Sequence, residues 1–76
     1  MQPEESLKVN RVKASLEREL LPLEGINGIG VARSTDGELF IIVLVRSITP
    51  ELLRMIPQRR EDVEIKIKEV GEIRAL

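Results

Sequence analysis

The chain has 76 residues, with 12 Lys and Arg against 13 Asp and Glu, and a net charge of −1. That length holds one domain, and the near-neutral balance disfavours strong binding to nucleic acid or an anionic membrane. There is no Cys, His, Trp or Tyr and a single Phe, which excludes disulfides, thiolate or imidazole metal sites, and Ser-His or Cys-His nucleophile pairs.

Residues 1–5 are acidic and polar and read as a disordered N-terminus, with one domain over 6–76. They lack the basic start and apolar stretch of a signal peptide. No apolar run reaches the roughly 18 residues of a membrane span. These features point to a cytoplasmic protein with no membrane contact. Frequent Ile, Glu, Lys and Arg without Cys or His is a thermophile-like composition.

From Ser6, a candidate N-cap, Val9, Val12, Leu16 and Leu20 recur at helical spacing, which predicts a helix to about Leu21. Pro22 stops it. Residues 26–34 read as a strand in spite of Gly28 and Gly30. Asp36-Gly37 then lies between two apolar runs and signals a hairpin. Leu39 to Val45 is apolar at both parities, as suits a central strand covered on both faces. Thr49-Pro50-Glu51 reads as a helix start, with Leu52, Leu53 and Ile56 as its apolar stripe and Pro57 as its stop. Gln58 to Asp62 is a charged connection. Val63 to Lys68 alternates apolar and charged residues, the mark of a strand with one wet face. Gly71 ends it, and Glu72 to Leu76 form a short return segment or tail.

The order α-β-β-α-β predicts an α/β (α+β) two-layer sandwich, with two helices on one face of a three-stranded mixed sheet. The helical connection makes the second and third strands parallel, and the all-apolar second strand best fits the middle; an antiparallel sheet with the first strand central is the alternative. A two-residue turn at Asp36-Gly37 would pair Gly30 with Val43 and Val31 with Ile42. Small residues at Gly28, Gly30 and Ala32 suggest that the helices lie on that side. Ile29, Val31, Phe40, Ile42 and Leu44 would then form an uncovered apolar face, bordered by Glu64, Lys66 and Lys68. A patch of that size implies a homodimer or a docking surface for another protein, the alternative being that the first helix covers this face instead.

Gly25, Gly28 and Gly30 form Gly-x-x-Gly-x-Gly without the Lys-Ser/Thr of a phosphate loop and without a following helix, so they are assigned backbone roles with Gly37 and Gly71. Arg59, Arg60, Lys66 and Lys68 could form a basic edge for nucleic acid. Acidic residues interleave with them and no aromatic platform accompanies them, so that reading ranks second. No residue is assigned a catalytic, metal-binding or cofactor-binding role, and no cofactor or enzymatic activity is expected. Adjacent carboxylates such as Glu4-Glu5 and Glu61-Asp62 are ordinary solvated charges.

The segments Leu23-x-Gly25-Ile26-x-Gly28-Ile29-Gly30-Val31, Ile41 to Val45, Ile56-Pro57, Val63-Glu64-Ile65 and the ending Gly71-Glu72-Ile73-Arg74-Ala75-Leu76 resemble a prokaryotic group. Its members are small uncharacterised α/β proteins with a Gly-Val-x-Gly-Val-Gly start and a Gly-x-Ile-Arg-Ala-Leu end. A similar module precedes trypsin-like domains in some bacterial proteins. The resemblance covers residues 20–76 and implies a strand-hairpin-helix-strand fold acting as an accessory module. Without His, no protease triad carries over.

Overall fold

The computed structural model describes residues 3–71, with side chains from Leu7 onward. The expected tail at Glu72 to Leu76 lies outside the described residues. The elements are α1 (Pro3–Leu20), β1 (Ile26–Arg33), β2 (Leu39–Val45), α2 (Pro50–Met55), β3 (Arg59–Arg60) and β4 (Val63–Glu69). The fold is α+β, with two helices and one mixed sheet of order β1-β2-β4-β3. β2 runs antiparallel to β1 and parallel to β4, and β3 pairs antiparallel with β4.

Helix α1 begins at Pro3, so the N-terminal segment is helical from Pro3 where disorder to residue 5 was expected. Proline at the first helical position loses no intrahelical hydrogen bond and already has a helical φ. Ser6 is therefore inside the helix and is not its cap. α2 starts as the sequence suggests. Thr49 is the cap, its Oγ1 accepting from the Leu52 N–H at 3.2 Å, and Pro50 occupies the first turn.

The sheet has four strands, where three were expected. Arg59 pairs with Glu64 and Arg60 with Val63 across a two-residue turn at Glu61-Asp62. Both turn residues have positive φ, 50° and 67°, the geometry of a type I′ hairpin. This tight return makes the supposed charged connection a short edge strand.

The first hairpin is offset by one residue from the expected register. Gly30 faces Ile42 and Val31 faces Ile41. The loop holds three residues, Thr35-Asp36-Gly37, closed by Ser34 N–H to Glu38 O at 2.8 Å and Gly37 N–H to Ser34 O at 3.0 Å. Gly37, at φ 90°, takes the left-handed position that ends such a loop. Because side chains alternate with period two, one residue of slip moves every side chain of β1 relative to its partners. A second irregularity, a bulge between Ile26 and Gly28, adds one residue to β1 near its start.

Val9, Val12, Leu16 and Leu20 form the buried stripe of α1. They meet Ile41, Val43 and Val45 of β2 and Val63 and Ile65 of β4, with Leu52 and Ile56 from the α2 segment closing the cluster. Ile29 and Ile67 pack against it. Both helices thus cover the side of β1 that carries Ile29 and Val31, not the Gly/Ala side. The driving force is apolar area: branched side chains cover the large stripe of α1, whereas Gly28, Gly30 and Ala32 have little to offer it. No polar or charged side chain is buried among the described residues. Arg60 ties the β3 edge to α1, donating to Glu19 at 2.6 and 3.1 Å and to Ser15 Oγ at 3.2 Å.

Candidate docking face

The second face of the sheet carries no helix or loop among the described residues. Its middle is a ridge of Phe40, Ile42 and Leu44, all half-buried. On the β1 side lies a trough. Ala32 is opposite Phe40, Gly30 opposite Ile42, and Gly28 opposite Leu44. On the β4 side are long charged side chains, with Lys66 beside Ile42 and Lys68 beside Leu44. Glu64, Arg59 and Phe40 line a shared hollow at one end of the face. The Lys66 ammonium sits 4.4 Å from the centre of the Phe40 ring, a cation–π contact that lays the lysine stem along the ridge.

Of the five residues expected on an uncovered face, Phe40, Ile42 and Leu44 are there. Ile29 and Val31 are not. Ile29 packs on the core, and Val31 pairs with Ile41 on the helix side, 38% exposed at the outer edge of β1. The shifted hairpin register accounts for both. Gly28 and Gly30 do not serve close helix packing, since the helices lie on the opposite side. Gly28 adjoins the bulge, and Gly30 sits in regular ladder. Gly25, Gly37 and Gly71 have positive φ, which fits their assigned backbone roles.

Of the four basic residues weighed for nucleic acid, Arg59, Lys66 and Lys68 are on the side of the open face, and Arg60 is turned away from them, held under α1 by Glu19. The Arg60 guanidinium holds the Glu19 carboxyl below its ordinary range, helped by a hydrogen bond from Ser15; in return the carboxylate raises Arg60. Asp36 is likewise held low, first by the Ser34 hydroxyl and then by the Glu38 N–H. That pair of contacts braces the hairpin loop. No group of three or more metal-ligating side chains comes together among the described residues.

At the far end of the domain, a cleft of about 350 Å³ opens between α2 and the 23–25 loop, lined in part by Leu23, Gly25, Arg46, Leu52 and Met55. Its one basic lining residue, Arg46, pairs with Glu24 at 3.7 Å in solvent. Among the described residues no polar side chain is buried, so none points into it to orient a ligand. No helix among the described residues is long and apolar enough to cross a membrane.

Compared with known proteins, the chain matches no family model, no curated sequence and no solved structure.

Proposed function

We propose that this domain is a self-associating module that docks through its open sheet face onto a second copy of the chain. The observation that carries the reading is the ridge of Phe40, Ile42 and Leu44, placed on the side of the sheet away from both helices. Contiguous apolar surface of this kind is characteristic of interaction sites. A net charge of −1 leaves little long-range repulsion between two copies.

The size of the face sets the expected strength. Three strands spaced about 4.8 Å apart and seven residues long outline a face of about 14 by 23 Å, about 300 Å² in projection. Specific stable interfaces bury about 800 Å² on each partner. The association is therefore weak and reversible, with a Kd in the micromolar range or above. Such a module acts where it is locally concentrated, for example when linked to other domains or repeated on a scaffold.

Sedimentation equilibrium between about 10 μM and 1 mM, a range that brackets such a Kd, tests the proposal. Interference optics are required because the chain has no Trp or Tyr. The expected result is a concentration-dependent dimer that persists in high salt, as apolar association does. Ile42→Lys should abolish it while leaving the far-UV circular dichroism unchanged. A monomer throughout the range, or a dimer unaffected by Ile42→Lys, would refute the proposal.

A further inference from the structure

Gly28 and Gly30 have side-chain positions on the open face, and the monomer does not need a glycine at Gly30. Neither residue has a positive φ. A Cβ added to Gly30 would lie 3.7 Å from Ile42 Cγ2, and one added to Gly28 would lie 4.0 Å from Leu44 Cδ1. Both are ordinary van der Waals contacts. The bulge accounts for Gly28. Gly30, in the regular ladder, weakens its own strand without a reason internal to the fold. Such a glycine marks a place where something outside the strand approaches closely.

We infer that the trough of Gly28, Gly30 and Ala32 receives the Lys66–Lys68 strip of a second copy, the two copies being related by a twofold axis along β2. This rests on the self-association proposed above and specifies its geometry. Two cross-sheet rows are paired in full, Gly30–Ile42–Lys66 and Gly28–Leu44–Lys68, and Ala32 pairs with Phe40 next to Glu64, one residue before the paired part of β4. An axis along β2 stacks each row on its own copy with the flanks exchanged. The ridge then meets the ridge, and each lysine stem lies over a glycine. Large side chains fill the space left by small ones, and the two lysine strips stand on opposite sides of the interface.

The competing twofold, perpendicular to the strands, is less favourable. It would bring Glu64 opposite Lys68, a favourable pair. It would also set Lys66 against Lys66 and trough against trough, leaving like charges opposed and a void along one side.

Two variants test the geometry. Gly30→Val fills the trough and should weaken the dimer at least tenfold, while circular dichroism and the melting curve show a folded chain. Gly30→Ala should weaken it less. The second is Gly30→Asp, which sets a carboxylate under Lys66 of the other copy when the axis runs along β2, and carboxylate against carboxylate when the axis is perpendicular. Its dimer should be tighter than that of Gly30→Val and should weaken as salt is added. A Gly30→Val dimer as tight as wild type would overturn this geometry while leaving self-association standing. A Gly30→Asp dimer that tightens as salt is added would do the same in favour of the perpendicular axis. A wild-type monomer at high concentration would overturn both.

Discussion

Replacing Glu61 by Asn and Asp62 by Gly should raise the melting temperature by about 5–10 °C. Both residues sit in left-handed backbone, at φ 50° and 67°, where an L side chain costs about 1–2 kcal/mol. Asn tolerates that region far better than Glu, and Gly occupies it freely. Against this, a new glycine loses about 0.5–1 kcal/mol through the greater freedom of the unfolded chain. Removing Asp62 also removes its pair with Lys8, at 3.6 Å with the carboxylate 90% exposed. A pair that open contributes a few tenths of a kcal/mol at most. The net gain is about 1–2 kcal/mol, and 1 kcal/mol moves a domain of this size by about 4–8 °C. Far-UV circular dichroism melts, followed by urea titration at 25 °C, measure it. Gly37→Ala is the matched control, since Gly37 has φ 90° and open space around a Cβ. It should lose about 1 kcal/mol from backbone strain alone. An unchanged or lower melting temperature for the double variant, with the control behaving as expected, would refute the type I′ reading of β3 and β4.

Acid should act on the link between β3 and α1. The folded Glu19 carboxyl is held below its ordinary value near 4.5, so its contribution is present above that pH and is lost as pH falls through the lowered folded value. Glu19→Gln should therefore flatten the fall in melting temperature below about pH 4.5; a curve parallel to wild type would show that the pair contributes nothing. Thr49→Ala removes the acceptor for the Leu52 N–H and should lower stability by about 1 kcal/mol, read from the same melts.

Several elements were legible in the residues. The stripe of α1, the apolar β2, the Thr49-Pro50 start and the alternating β4 all carry strong local signals. The chain also contained, unused, the information that orients the sheet. Val63, Ile65 and Ile67 form one parity of β4, and Glu64, Lys66 and Lys68 the other. The apolar parity has to meet the helices, and so must the Ile29 and Val31 parity of β1. Placing those two beside Lys66 conflicted with that rule. The register is ambiguous at the hairpin, where Asp36-Gly37 also suits a three-residue loop that ends on its glycine. β3 was hidden for a different reason. Arg59-Arg60 has little strand propensity, and Glu61-Asp62 lacks the Gly or Asn that advertises a primed turn. Only the pairing with β4 reveals it. Phe40, Ile42 and Leu44 were anticipated on an open face, but the trough beside them depends on the true register and could not be drawn without it.

Phe40 is the only aromatic residue in the chain, and it lies on the ridge of the open face. Its ring protons therefore resonate in a region of the proton spectrum free of other side-chain carbon-bound signals. The ring current falls on Lys66, whose ammonium is 4.4 Å from its centre. An unlabelled sample thus contains its own spectroscopic reporter at the proposed contact. Adding a second copy or any other binder on this side of the sheet shifts one isolated set of peaks, while events at the helices or at the cleft beside α2 leave that set in place.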